Sequence, residues 1–443
     1  MKNLITCESV TIGHPDKLCD VIADNILDAY LEGDKNARVA VEVMATKEKV
    51  IISGEVTSKF KVNMENIARK TIKEIGYDSD EACFNGNTIP IEIIINKQSE
   101  DISIGVNKKN IGAGDQGMMY GYATNETKEF MPIPCVLVNL LAKKLVEVRK
   151  KKIIPYLLPD GKCQVTFDYE KKVIDTIVVS NQHKEVDIEV LRKDVLNKVI
   201  KKVISSKYLD KNTKYYINPT GIFRIGGPVG DTGLTGRKIM VDTYGGIIPH
   251  GGGAFSGKDY TKVDRTGAYY ARYVAKNIVA SGLCDKLLVN VSYAIGISHP
   301  VSIYADIYED NEEKLNLVYD IIYLFFDFSP KNMIKELELT KPIYSKTTCF
   351  SHFGKENLPY EKLNKVRKIK DYLSKNNLEK YKYVQDKINK AFYSDDEEKN
   401  VVLGNIQNKI ALSMSDEEFN MLLKQDMHLY RKMFLNKLRK NKK

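Results

Sequence analysis

Three times in the first 360 residues, two short segments that alternate apolar and polar side chains are followed by a longer segment of helical periodicity. This recurrence limits the fold more than any other feature, because paired strands with one apolar face need a helical layer to cover it. In the first copy, Arg38 to Thr46 and Val50 to Val56 alternate around the turn Thr46-Lys47-Glu48-Lys49. Residues Val62 to Ile75 then read as a helix stopped by Gly76, and Ile89 to Asn96 as a further strand. The second copy comprises strands at Gln164 to Tyr169 and Val173 to Ser180, a helix at Asp187 to Val203 and a strand at Lys214 to Asn218. The third comprises strands at Leu287 to Tyr293 and Ser302 to Tyr308 and a helix at Asn311 to Phe326. The predicted class is α+β, and a chain of 443 residues is too long for one ordinary core. We place the units at 1–98, 112–226 and 227–365, with an extension at 366–443.

Between these units lie loops rich in glycine, at 111–121, 219–236 and 244–257. Glycine lets backbone N–H groups approach a ligand closely, so the functional site is expected there. After Pro359 the sequence turns Lys-, Asn- and Glu-rich with no strand signal. Leu378, Tyr381, Val384, Ile388 and Ala391 form one helical stripe, and Phe419, Leu422, Leu423, Met427, Tyr430, Phe434 and Leu438 another. Ser394 with Glu397 and Ser415 with Glu418 have capping-box spacing, so the extension is expected to be helical.

No segment approaches the roughly 20 apolar residues that span a bilayer, and the first residues lack a secretory apolar run, so a cytoplasmic address is expected. The seven cysteines contain no C-x-x-C pair, which argues against a zinc site or disulfide framework. The net charge of +10 admits a nucleic-acid partner, yet no groove-reading helix or aromatic platform accompanies it. Much of the Lys density follows residue 360, whereas the central basic residues sit in the glycine-rich loops, where small anions are held.

Three clusters carry chemistry. Gly13-His14-Pro15-Asp16-Lys17 opens a helix with Leu18, Val21, Ile22 and Ile26 on its apolar face, which puts His14 and Asp16 at an anion-favouring N-terminus. Gly230 to Lys238 presents Arg237 and Lys238 side by side after a flexible loop, suited to phosphate oxygens although no P-loop pattern is present. His250 to Asp259, followed by Lys262 and Asp264, sets two lysines and a carboxylate beyond a third such loop, a composition that suits a Mg²⁺-polyphosphate.

Together, GHPDK at 13–17, GAGDQG at 112–117, GGPVGDTGLTGRK at 226–238, VDTYGG at 241–246, HGGGAFSGKD at 250–259, KVDR at 262–265 and ARYVAKNIVASGL at 271–283 closely resemble S-adenosylmethionine synthetases. The resemblance covers roughly residues 3 to 365. It implies three similar β-hairpin/helix/strand units in pseudo-threefold arrangement. It also implies homodimers, often paired into tetramers, with active sites between subunits. The implied reaction joins methionine to ATP, with the triphosphate released as pyrophosphate and phosphate. On that resemblance His14, Lys162, Arg237, Lys238 and Lys258 are the catalytic cationic and donor set. Asp160, Gly161, Ile222, Phe223, Asp231 and Ala254 complete the ATP site, and Glu55, Gln98, Asp115, Asp231 and Lys262 surround methionine. Asp16 and Asp264 correspond to Mg²⁺ positions, with two ions per site, and Glu42 to a K⁺ position.

The sequence departs from the family in two places. The segment between Gln98 and Gly112 is shorter than the gating loop expected of bacterial relatives, and the extension beyond residue 366 is additional. A non-catalytic scaffold is disfavoured because the phosphate and metal residues are all present.

Overall fold

The computed structural model describes residues 3–97 and 112–374. In chain order its main elements are β1 (Leu4–Val10), α1 (Pro15–Gly33), β2 (Arg38–Ala45), β3 (Val50–Thr57), α2 (Met64–Ile75) and β4 (Ile91–Asn96). These are followed by β5 (Gly117–Thr124), α3 (Ile133–Lys150), β6 (Leu157–Asp168), β7 (Val173–His183), α4 (Ile188–Val195) and β8 (Lys214–Ile217). The last group is β9 (Gly233–Leu234), α5 (Val263–Ser281), β10 (Lys286–Tyr293), β11 (Ser302–Asp306) and α6 (Glu312–Phe325).

The strands form three sheets, ordered β4-β3-β2-β9, β1-β6-β7-β8 and β5-β10-β11. Each is built on an antiparallel hairpin whose first strand also pairs with a strand from another part of the chain. β9 joins β2 through Met44 opposite Leu234, β1 joins β6 through Cys7 opposite Val165, and β5 joins β10 through Gly121 opposite Val289. β4 and β8 then extend two of the sheets in parallel pairing. The stretches before 98, from 112 to 226 and after 227 therefore interleave, each lending one strand to the sheet of another. The order of elements is strand, long helix, hairpin, second helix and parallel strand. The third copy has no such final strand among the described residues.

The helices α1, α3 and α5 lie against the inner faces of the three sheets. Glycine makes one of these contacts possible, because a Cβ on Gly121 of β5 would stand 2.0 Å from the backbone of Ala271 in α5. α5 is buried along nearly its whole length and carries two fully buried arginines. Each is satisfied: Arg265 binds both oxygens of Asp24 at 2.7 and 2.9 Å, and Arg272 binds Glu361 and the carbonyls of Tyr122, Glu129 and Phe130. Such pairing is what lets a charge sit in a core.

Element boundaries differ from the sequence reading where the periodic pattern is interrupted. β6 begins at Leu157, seven residues before Gln164, because an irregularity between Leu157 and Gly161 breaks the alternation there. The helix expected over 187–203 starts as expected, with Asp187 accepting from the Glu189 amide at 2.8 Å. It then opens into a wide turn at Leu196–Ile200. All seven cysteines are free and five are buried, so they pack rather than bridge. The extension enters as a helix at Val366–Leu373, with Ile369 and Tyr372 buried and the Tyr372 hydroxyl donating to Asp320 at 3.2 Å. The two stripes at 378–391 and 419–438, their capping boxes, Gln98 and the segment up to Ile111 lie outside the described residues. Among the described residues no helix is long and apolar enough to cross a membrane.

Candidate active site

His14 caps α1, and its Nδ1 accepts the Asp16 amide at 3.2 Å. With Nδ1 used as acceptor, the neutral ring carries its proton on Nε2. Burial pushes the His14 pKa down to about 3, aided by the charges of Lys238 and Lys162 and opposed by Asp16. The imidazole is thus a neutral N–H donor throughout the physiological range. Gly13 lets β6 come this close, since a Cβ there would lie 2.4 Å from the Pro159 carbonyl oxygen. Thr11 fixes the same contact by donating from its hydroxyl to Pro159 at 2.7 Å and from its amide to Gly161 at 2.9 Å.

Asp16 points into the loop that carries Arg237 and Lys238. Its carboxylate accepts the Leu234 amide at 3.1 Å and Lys238 Nζ at 3.0 Å, with Arg237 Nε at 3.8 Å. Burial drives its pKa up, but the Lys238 hydrogen bond, the Leu234 amide and the Lys238 charge outweigh it, leaving the carboxyl below its ordinary value. Arg237 is half exposed and also donates to the Thr232 carbonyl at 3.1 Å. Lys162 makes no ion pair among the described residues and stands exposed on β6.

The third glycine-rich loop meets the second at Gly236, where a Cβ would lie 2.6 Å from that of Ala254. Lys258 bridges back to Ala40 of β2 and donates to Asp264 at 2.6 Å. Asp264 lies under Gly253, where a Cβ would come within 2.3 Å of its carboxylate. Lys262 is held by Asp259 at 2.5 Å, and that fully buried carboxylate also accepts the Val39 amide at 2.7 Å. Asp160 is buried and accepts the Gly227 amide at 2.8 Å through one oxygen, while its other oxygen has no hydrogen-bond partner among the described residues. Burial raises its pKa to about 6.

The structure therefore brings His14, Asp16, Lys162, Arg237 and Lys238 to one helix end, and gathers Ala254, Lys258 and Asp264 beside them through the loop contact. Other candidates stand apart. Glu55, Asp115 and Asp231 are exposed; Asp115 accepts the neighbouring Gln116 amide, at 2.8 Å, and Asp231 donates its amide to the Gly227 carbonyl at 3.1 Å. Phe223 has its backbone pinned by two bonds to His183, at 3.0 and 3.1 Å, and next to it Ile222 is 71% exposed.

Family models for S-adenosylmethionine synthetase match the chain as the N-terminal domain over residues 2–100, the central domain over 110–223 and the C-terminal domain over 225–362. The chain belongs to the S-adenosylmethionine synthetase family. An S-adenosylmethionine synthase of Clostridium acetobutylicum is 51% identical over 391 residues, covering 84% of this chain and 100% of the relative. One from Clostridium botulinum is 48% identical over the same length and coverage. One from Mycoplasma mycoides is 50% identical over 377 residues, covering 84% of this chain and 97% of the relative. Membership makes this chain an enzyme of the transferase class, and the synthetase models end before the helix at Val366–Leu373.

Seen as a synthetase site, the donor set suits hard cations. No group of three or more metal-binding side chains occurs among the described residues. Asp16 and Asp264 are two separate carboxylates, each already beside a lysine, and Mg²⁺ typically takes one or two carboxylates and fills its shell with phosphate and water oxygens. Glu42 lies on the outer face of β2 and is exposed there, although neighbouring chain surrounds part of its side chain. Burial raises its pKa to about 7, with Lys258 opposing and Asp20 and Glu55 adding repulsion, so a monovalent cation beside it would relieve a real imbalance.

Sequence reasoning missed three further carboxylates on α1, which hold the loops that carry the candidate residues. Asp20, Asp24 and Asp28 follow Asp16 at intervals of four residues and are all buried. Asp20 accepts the Gly236 amide at 2.9 Å, Asp24 the Gly257 amide at 2.9 Å, and Asp28 the Tyr344 and Ser345 amides at 2.9 and 2.8 Å. The spacing of four was the available signal, because it puts all of them on one helix face.

Proposed function

We propose that this chain makes S-adenosylmethionine from methionine and ATP by attack of the methionine sulfur on the ATP C5′ carbon, and then cleaves the triphosphate to pyrophosphate and phosphate. The observation that carries this reading is His14, its Nδ1 taken by the Asp16 amide, set among Lys162, Lys238 and Arg237 with Asp16 as the local counter-charge. That arrangement leaves an excess of positive charge and N–H donors for a polyanion.

The thioether sulfur has no proton to lose, so the displacement needs no general base. What it needs is a leaving group whose bridging oxygen can take up charge. His14 donates its Nε2–H to that oxygen and keeps its proton, while Arg237, Lys238, Lys162 and Lys258 hold the phosphate oxygens. A single prearranged donor of this kind contributes about 3–4 kcal/mol to a transition state. Asp16 and Asp264 would hold two Mg²⁺ ions per site, which would neutralise charge on the polyphosphate, and Glu42 would hold K⁺. The free oxygen of Asp160, with Gly161, accepts from the nucleoside. Phe223, flanked by Ile222, packs beside adenine at a gain of about 1 kcal/mol. Ala254 leaves room for the phosphates.

Glu55, Gln98, Asp115, Asp231 and Lys262 hold methionine, and Asp115 and Asp231 stabilise the sulfonium charge. The exposure of Glu55, Asp115 and Asp231 in a single chain, together with that of Met44, Ile93 and Ile94, supports a site completed by a second subunit, with dimers pairing into tetramers. The three units, bounded at 98/112 and 226/227, are related by pseudo-threefold symmetry and work in the cytoplasm. Incubation with ATP and methionine, with and without Mg²⁺ and K⁺, tests the reading. S-adenosylmethionine and phosphate are expected only with Mg²⁺, and Arg237→Ala should lower the rate by about a hundredfold or more. Full-speed transfer by Arg237→Ala would sink it.

A further inference from the structure

The four carboxylates of α1 are not equivalent in what lies beyond their bonds. Asp20 holds the amide of Gly236, whose φ is +78°, and the next residue is Arg237. Asp24 holds the amide of Gly257, whose φ is also +78°, and the next residue is Lys258. At both positions a side chain is excluded by more than backbone angle: a Cβ would meet Ala254 at 2.6 Å from Gly236, and the Val41 carbonyl oxygen at 1.9 Å from Gly257. Asp28, one turn further along, holds the amides of Tyr344 and Ser345, neither of them a left-handed glycine, and the lysine that follows, Lys346, is exposed and is not one of the proposed phosphate residues.

We infer that Asp20 and Asp24 are positioning residues for the triphosphate: each fixes, through a left-handed glycine, where the following cation stands. The inference rests on the proposed role of Arg237, Lys238 and Lys258. A loop of glycines has many conformations available, and a cation on it holds a phosphate well only if that freedom is removed before the ligand arrives. One buried helix face removes it for two loops at once, because residues four apart are about 6 Å apart along the axis. The same carboxylates are locked in turn, Asp20 by Lys17 at 2.7 Å and Asp24 by Arg265 and the Thr348 hydroxyl at 2.7 Å. Lys17 also bonds Asp242, which lies beyond Lys238 in the same loop, so the segment is tied to α1 on both sides of its cations.

The test is tripolyphosphate binding by the purified full chain in Mg²⁺, followed by calorimetry, together with KM for ATP and for methionine. Arg237→Ala tests the underlying reading, and unaltered tripolyphosphate binding in that variant sinks the phosphate assignment itself. Given a loss there, Asp20→Ala is expected to weaken tripolyphosphate by about tenfold and raise KM for ATP, with KM for methionine within about twofold. Asp20→Asn keeps an oxygen for the Gly236 amide and should stay within about threefold of the parent. Asp28→Ala should lower the melting temperature and leave tripolyphosphate binding intact. Equal binding in Asp20→Ala and the parent, or equal losses in Asp20→Ala and Asp28→Ala, would overturn the inference. If Asp20→Ala does not fold, Asp20→Asn against Asp20→Glu decides. Glu displaces the acceptor by one methylene and should bind tripolyphosphate more weakly than Asn, and equal binding contradicts the proposal.

Discussion

His14 shows how burial selects a chemical form. A histidine at a helix N-terminus among lysines is held neutral, and its cap bond leaves Nε2 as the donor. The same depression makes a stability prediction. The folded pKa of about 3 lies below the unfolded value near 6.5, so the unfolded chain takes up the proton first. Stability is therefore complete above about pH 6.5 and falls as pH drops toward 3, by about 1.4 kcal/mol per pH unit for this group. His14→Asn keeps a capping side chain but removes the titration. In urea unfolding at pH 7 and pH 5.5, the parent should lose about 1–2 kcal/mol more than the variant, and equal losses would contradict the assignment. At this scale the sequence was a good guide to cations, because Arg237, Lys238 and Lys258 sit in loops too rich in glycine to be ordinary. It was a poor guide to Asp20, Asp24 and Asp28, because charged residues on a helix usually mark its wet side. Here that side is covered by the very loops it anchors.

Among elements, the hairpins were legible because alternation survives along most of their length. It fails at Pro159-Asp160-Gly161, where the start of β6 bends toward His14, so the part of the strand nearest the site was the part not read as strand. The donated strands were hidden for another reason. β9 is two residues long, and pairing with β2 across the chain leaves no local period to detect. The helix–sheet contact at Gly121 gives this scale its prediction. In Gly121→Ala the new methyl would press on the Ala271 backbone, which cannot retreat without moving α5, so a loss of about 1–3 kcal/mol is expected. Thermal unfolding checks it, and an unchanged melting temperature would mean the two elements are less closely packed than described.

At the scale of the molecule, three interleaved sheets place the start of one stretch of chain beside loops from the others. β1 leads into α1, β6 supplies Lys162, and the segment after β9 supplies Arg237, Lys238 and Lys258, so the proposed phosphate site draws on two of the three sheets and on all three stretches of chain. The repeat of hairpins predicted an α+β chain with several units, but pairing across units is a long-range property that no periodicity encodes. In the proposed phosphate site Lys238 and Lys258 are each held by a carboxylate, Asp16 at 3.0 Å and Asp264 at 2.6 Å. The most direct measurement is the rate of S-adenosylmethionine formation by His14→Asn at pH 7.5, under saturating ATP, methionine, Mg²⁺ and K⁺. A fall in kcat of about a hundred- to a thousandfold, with KM for methionine little changed, is the predicted result. A kcat equal to that of the parent enzyme would contradict the claim that a neutral imidazole and its neighbouring cations stabilise the departing triphosphate.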